Sequence, residues 1–415
     1  MVGKRLAQNV FVFVLAVFAC LVALEGTVRI MAPQRFEASY PAVYESHPRL
    51  GHVMRPNASG VYRTGEFEVV IRTNADGFRG PHYGPKRAST FRVVELGDSF
   101  TLGAEVAEED TYGAVLDRML NVRPGGRQYE VLNLGIRAYG TEQELQLLRE
   151  AGLRYQPDLV ILQVYASNDL YENHPRLFTY TIADGFVIPT PAQDPEPDTS
   201  ATTMAQQTGI AHQTAEVAPT EMADHRLPIP FKAWLAEYSH LYLLLRTRYH
   251  LLWLRMQNRS EYKALESKNV KMASEWVSWM ESAAWVYRRV YDDGQNARWA
   301  VVDSLMNDLA VLSARHQFKV VLMNAPLRER LGSDVFQAWG LDPRLYDPFK
   351  PDTMLEAIAR RHGFTSVALY PEFALAAQGD ERLYWTVDGH WTPAGHRLVA
   401  RALYNTLIRY DLVPR

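Results

Sequence analysis

Cysteine is almost absent from this chain. The only one in 415 residues is Cys20, so no internal disulfide can form, and cysteine-based metal centres and redox motifs are excluded. An excess of either charge is also missing. Lys and Arg together number 44, Asp and Glu 47, for a formal net charge of −3, which leaves no basic footprint for a nucleic acid partner. Internal repeats and coiled-coil heptads are lacking. Histidines such as His174, His316 and His362 are scattered without metal-ligand spacing. What remains is a globular composition, 47% hydrophobic and 22% charged, in a chain long enough for one large domain or two smaller ones.

The N-terminus departs from that composition. Lys4 and Arg5 precede an uncharged stretch from Leu6 to Leu24 rich in Val, Phe, Leu and Ala. At about 19 residues it is near the length that spans a bilayer. A secretory signal has a shorter apolar region and a small-x-small cleavage site, and Glu25-Gly26-Thr27-Val28-Arg29 is a poor one. We therefore read residues 1–32 as an uncleaved single-pass anchor. Its basic flank sets the N-terminus in the cytoplasm and the bulk of the chain outside. Ala19-Cys20 hints at a lipoprotein site, but Phe18 fits poorly and the apolar run continues beyond. Cys20 reads as an anchor residue facing lipid.

Residues 33–90 are rich in Pro, Gly and Asn, with a strand-like run at 67–73 and a turn signal at Asn74-Ala75-Asp76-Gly77. They read as a small β-rich lead-in between the anchor and the main domain. From Phe91 the pattern alternates: strand 91–96, helix 111–120, strand 129–133, helix 141–151, strand 158–164. It breaks after Tyr180. Residues 189–226 are rich in Pro, Thr, Ala, Gln and Asp and read as a linker. Residues 230–290 are helix-like and rich in Trp, Tyr and Leu, including Trp276, Trp279 and Trp285. They read as a helical insertion, either packing beside the domain or capping its site. Alternation resumes with helix 297–314, strand 319–323, helix 354–361 and strand 366–369. The domain thus runs over 91–188 and 291–415, interrupted at 189–290. Strands alternating with helices imply a parallel sheet covered on both faces, a three-layer α/β/α arrangement.

Four short motifs fall at ends of these elements. Gly97-Asp98-Ser99 follows the first strand, Asn133-Leu134-Gly135 the second and Ser167-Asn168-Asp169 the third, while Asp388-Gly389-His390-Trp391 lies near the C-terminus. Ligands of open α/β sheets bind at the carboxyl ends of the strands, so the motifs converge on one edge. There Ser99 suits an ester nucleophile, because a serine opening a helix has N–H groups at hand for an oxyanion. A serine hydroxyl needs a base within hydrogen-bond reach. His390 fits that role by its pKa range, with Asp388 orienting the ring. His396, in Pro393-Ala394-Gly395-His396, competes on paper but opens the last helix. The Ser99 and Gly135 N–H groups and the Asn168 amide are the expected oxyanion donors. Asp98 and Asp169 are expected to hold turns.

These blocks resemble the SGNH/GDSL hydrolase superfamily, whose order is a Gly-Asp-Ser nucleophile, a glycine, an asparagine and a C-terminal Asp–His pair. Ser99, Gly135, Asn168 and Asp388/His390 stand in that order. The lead-in Pro56-Asn57 and Asn74-Ala75-Asp76-Gly77-Phe78-Arg79-Gly80 resembles membrane-anchored bacterial members. Two departures stand out. The usual spacing is Asp-x-x-His, yet Val387 is three before His390 and the aspartate is two before. That closer spacing, with Trp391 following, resembles the Asp-x-His-Trp of bacterial polysaccharide O-acetyltransferases. Ser167 stands where glycine is usual.

The resemblance implies an SGNH-hydrolase-like α/β fold with a mostly parallel sheet, a helical insertion and an N-terminal transmembrane helix. It implies a serine esterase or deacetylase that needs no metal or organic cofactor. An anchored enzyme of the bacterial inner membrane, with its domain in the periplasm, would meet acylated carbohydrate or another ester there. An O-acetyltransferase using the same site is one alternative. A non-catalytic glycan-binding or assembly protein is another.

Overall fold

The computed structural model describes residues 2–31, 42–64, 66–122, 127–173, 178–183, 186–191, 239, 241–242, 245, 284–326, 336, 342–385 and 388–414. It divides into two compact units, one of residues 1–39 and 217–276, the other of 40–216 and 277–415. In the first unit, helix α1 (Val2–Met31) contains a 24-residue segment, Gln8–Met31, whose most apolar 18 residues have a mean hydropathy of 2.5. It is long and apolar enough to cross a membrane. In the same unit the Glu25 carboxylate accepts from the Ser239 hydroxyl at 2.8 Å and from the Leu241 N–H at 2.9 Å.

The second unit opens with two antiparallel hairpins. Strand β1 (Tyr44–His47) pairs with β2 (Gly51–Met54), and β3 (Ser59–Arg63) with β4 (Glu68–Arg72). A two-stranded ribbon is marginal alone. These bury Val43, Leu50, Met54, Tyr62 and Ile71 in the same apolar cluster as the main sheet. The segment read as a lead-in therefore packs as part of the domain core.

The main sheet has five strands: β5 (Thr90–Leu96), β6 (Gln128–Asn133), β7 (Leu159–Val164), β10 (Lys319–Asn324) and β11 (Thr365–Val367). Strands β8 (Phe178–Ala183) and β9 (Phe186–Pro191) form a separate antiparallel pair. The sheet is parallel throughout, in the order β11-β10-β7-β5-β6. Its strands read as apolar runs because both faces are covered. Along β5, β7 and β10 successive residues alternate between two cores. Val94, Leu96, Val160, Leu162, Val320 and Leu322 enter one. Val93, Leu159, Ile161, Val321 and Met323 enter the other. This is the period of two expected of a strand.

Helices α4 (Thr141–Glu150), α6 (Asp293–His316) and α7 (Lys350–Arg361) supply the first core with Leu145, Leu148, Val302, Leu309 and Leu355. Helices α3 (Tyr112–Asn121), α8 (Leu369–Ala376) and α9 (Pro393–Arg409) supply the second with Leu116, Leu120, Phe373, Leu398 and Leu403. The expected three-layer α/β/α fold is thus present. Two short helices, α2 (Ser99–Leu102) and α5 (Ala166–Glu172), follow β5 and β7 directly. The chain leaves β5 toward β6 on one side, and β7 lies on the other, so the crevice at a topological switch point opens at the ends of β5 and β7.

The linker and helical insertion lie mainly outside the described residues. Trp285, read with the insertion, is described. It sits in the turn Trp285–Tyr287, 7% exposed, in the first core. There the aromatic residue packs as core.

Candidate active site

Ser99 opens α2 immediately after β5. The turn is held by Asp98, whose Oδ1 accepts the Phe100 N–H at 2.9 Å as the helix cap; such a cap contributes about 1 kcal/mol. Burial pushes the Asp98 carboxyl up, opposed by the Phe100 N–H, by His390 and by the Asn168 amide. The expected turn-holding role is the one its contacts describe. Asp169 is similar, accepting from the Tyr165 N–H at 3.0 Å and the Thr141 hydroxyl at 3.2 Å.

His390 reaches Ser99 from the C-terminal hairpin. Its Nε2 lies 2.8 Å from Ser99 Oγ, and its Nδ1 lies 2.6 Å from Asp388 Oδ1. A carboxylate only accepts, so Nδ1–H donates to Asp388 and Nε2 is left to accept the serine hydroxyl. The Asp388-Gly389-His390 turn makes the two-residue spacing workable. Gly389 has φ +87°, a left-handed conformation that glycine adopts without a Cβ penalty. The turn is closed by Trp385 N–H on His390 O at 2.9 Å and Gly389 N–H on Trp385 O at 3.2 Å. Trp391 follows as an anchor. It is fully buried, its ring 4.7 Å from Phe100 and 5.7 Å from Phe373. Phe100 also packs its ring 4.7 Å from the His390 imidazole.

His396 stands elsewhere. It lies on α9, almost fully buried, and its Nδ1 accepts the Tyr112 N–H at 3.1 Å, satisfying a first-turn donor of α3. Burial, with Arg79 and His390 nearby, lowers it to about 3, so it stays neutral. The two histidines are separated by geometry: one caps a helix and the other faces Ser99.

Of the expected oxyanion donors, the Gly135 N–H is engaged elsewhere. The Gly135 N–H donates to Asn133 Oδ1 at 2.9 Å, and the Asn133 amide donates to Thr101 O at 2.7 Å. A Cβ at Gly135 would lie 2.3 Å from Leu102 N and 2.7 Å from Thr101 C. Glycine is therefore required there by close approach to the backbone of α2. Asn168 lies in the first turn of α5, and its Oδ1, buried, has no hydrogen-bond partner.

Four further residues enter the site that the sequence did not single out. The Tyr62 hydroxyl of β3 donates to Asp388 Oδ2 at 3.2 Å, and the Asp388 N–H donates to Glu66 Oε2 at 3.0 Å. Glu105, fully shielded from solvent, puts Oε1 3.6 Å from His390 Nδ1 and 3.6 Å from Arg137 Nη1. The Arg137 guanidinium also lies over the Tyr62 ring, 5.8 Å from its centre. No local pattern flags any of them, because their partners are distant in sequence.

The electrostatics follow from this arrangement. Burial alone would lower the His390 imidazole, but the Glu105 and Asp388 carboxylates outweigh it and raise it to about 9. Burial pushes Asp388 up, yet His390 and then Arg137 hold it down at about 2. Among the described residues, Glu105, Asp388 and His390 bring ligand atoms close enough together to hold a cation. The Arg137 guanidinium beside Glu105 already places a positive charge there.

No family model matches the chain, and no curated protein does. Among solved structures, the chain is similar to a mutant of Axe2, an acetyl-xylooligosaccharide esterase from Geobacillus Stearmophilus. The identity is 12% and the TM-score 0.38, over 78% of this chain and 95% of that one. It is similar to TesA at 11% identity and a TM-score of 0.35, over 78% and 99%. It is also similar to LAE5, an alpha/beta hydrolase enzyme from the metagenome of Lake Arreo, Spain. There the identity is 11% and the TM-score 0.38, over 81% and 100%.

Proposed function

We propose that this chain is a serine ester hydrolase of the SGNH/GDSL type, with Ser99 as nucleophile, His390 as base and Asp388 as orienting acid. The observation that carries the reading is the continuous hydrogen-bonded line from Ser99 Oγ through His390 to Asp388, at 2.8 and 2.6 Å. In this reaction Ser99 Oγ bonds to the acyl carbon as its proton passes to His390 Nε2. The carbonyl oxygen becomes an oxyanion facing the Ser99 N–H and the Asn168 amide; the Gly135 N–H joins them on leaving Asn133. Collapse breaks the ester C–O bond, and the leaving alcohol takes the proton from Nε2. Water then attacks the acyl-serine with His390 again accepting a proton, and Ser99 and the free acid are restored. Each oxyanion donor typically contributes about 100- to 1000-fold in rate.

The hydropathy of Gln8–Met31 and the basic Lys4 and Arg5 before that segment support a single-pass anchor with the domain outside the cytoplasm. An ester of an envelope or secreted carbohydrate is the substrate class such a location favours. The Asp388-Gly389-His390-Trp391 spacing also favours a second reading, in which a sugar hydroxyl replaces water as acyl acceptor. The test is turnover of a chromogenic acetyl ester by the full chain in detergent. Activity in the natural sequence and its loss in Ser99→Ala supports the hydrolase, and equal rates refute it. Adding an oligosaccharide and weighing it by mass spectrometry separates the two acceptors.

A further inference from the structure

Asp388 is not the only carboxylate aimed at the base. Glu105 Oε1 approaches the same nitrogen, His390 Nδ1, from a different element, at 3.6 Å against 2.6 Å for Asp388 Oδ1. Asp388 is therefore the hydrogen-bond acceptor, and Glu105 acts through charge alone. Glu105 is fully buried, and its oxygens make no hydrogen bond to another side chain. A carboxylate in such a place is costly unless charges of opposite sign face it. Two do: the His390 ring and, at 3.6 Å, Arg137 Nη1.

We infer that Glu105 is a positioning residue, a second carboxylate that holds His390 in the charged form produced when it takes the Ser99 proton, with Arg137 as its counter-ion. The inference rests on the reading of Ser99 and His390 proposed above. With His390 neutral, two carboxylates face one guanidinium and the cluster carries an uncompensated negative charge. With His390 protonated the cluster is balanced. Proton transfer from Ser99 thus moves the buried charges toward neutrality, where a single Asp–His pair beside Arg137 would move them away from it.

Other groups around His390 do not supply this effect. Burial pushes both Asp98 and Glu105 up and His390 holds both down, but Asp98 caps α2 through the Phe100 N–H, whereas Glu105 lies 3.6 Å from both His390 Nδ1 and Arg137 Nη1. His396 on α9 is neutral. The Tyr62 hydroxyl and Glu66 act on Asp388, the latter through its backbone N–H. Glu105 and Arg137 are left as the two groups whose charges reach the ring without a hydrogen bond to it, and their effects are opposite in sign.

The test measures His390 by a readout that needs no turnover. The full chain in detergent, carrying Ser99→Ala and carbon-13-labelled histidine, is titrated by NMR. Glu105→Gln is expected to lower the His390 midpoint by about one to three pH units, Glu105→Asp by less, and Arg137→Gln is expected to raise it. With Ser99 restored, the acidic limb of kcat/KM against pH should shift in the same directions with little change in KM. Should Glu105→Gln fail to fold, the upward shift of Arg137→Gln tests the same charge balance alone. Midpoints within a few tenths of a unit in the Glu105 and Arg137 variants overturn the inference. Shifted midpoints in a chain that turns over no ester uphold the charge assignment and refute the hydrolase.

Discussion

The Tyr62 hydroxyl donates to Asp388 Oδ2 across 3.2 Å, joining a hairpin that precedes the sheet to the turn that follows it. Through this contact β3 fixes the free oxygen of the acid that orients His390. Tyr62→Phe should keep the fold at a cost of about 0.5–1.5 kcal/mol. It should lower kcat more than KM, because the acid loses a donor and not a substrate contact. Denaturant unfolding and steady-state kinetics on the same preparations check both.

His390 and His396 should differ in what their loss costs. His390→Asn removes the base, so ester turnover should fall by at least about 1000-fold, and because it also withdraws the positive charge facing Glu105 and Asp388 some stability should be lost with it below about pH 9. His396→Ala orphans the Tyr112 N–H and opens a buried space, costing about 1–3 kcal/mol. Comparison of kcat/KM and urea unfolding for the pair distinguishes base from helix cap.

Turnover should rise with pH through the alkaline range. The base must be neutral to accept a proton, and His390 is raised to about 9 by Glu105 and Asp388 against the opposing effect of burial. The linked stability has the matching sign. His390 titrates higher when folded than the ordinary 6.5, so its charged form stabilises the fold fully below about 6.5 and the gain is lost as pH rises through about 9. Asp388 is lowered from 3.8 to about 2, so its contribution is present above about 4 and lost as pH falls through about 2. A kcat/KM profile and unfolding midpoints across pH read the two separately.

Gly135→Ala should be destabilising through packing against backbone. The new Cβ would fall 2.3 Å from Leu102 N and 2.7 Å from Thr101 C, atoms of the helix that carries Ser99. Overpacking of this kind costs about 1–3 kcal/mol. Because it displaces α2, activity should fall further than stability. Thermal unfolding and kcat of Gly135→Ala against the natural chain give the comparison.

Much of the scaffold was legible in the sequence because its signals are local. Apolar runs bounded by turns marked β5, β6, β7 and β10 to within a residue or two, and helical spacing marked α3, α4, α6 and α7. Ser99, Asp388 and His390 were legible as motifs at element ends. Charge partners were not. Glu105 and Arg137 belong to no motif, and only the fold brings them beside the histidine. Tyr62 and Glu66 were hidden by the reading of 33–90 as a separate lead-in, when its apolar residues complete the first core. Gly135 was read for its N–H group, whereas what the structure shows most sharply is its lack of a Cβ. The β8–β9 hairpin was missed although Phe178, Tyr180 and Ile182 alternate with Thr179 and Thr181, because its second strand carries Pro189 and Pro191.

Covalent labelling of the serine asks the most direct question of the site. A fluorophosphonate added to the full chain should phosphonylate Ser99 with loss of fluoride, and mass spectrometry should place the adduct on the peptide holding Gly97-Asp98-Ser99. Labelling should vanish in Ser99→Ala and slow by at least about 1000-fold in His390→Asn. Adduct on another serine, or labelling of Ser99 at the same rate without His390, would contradict an activated nucleophile at this site.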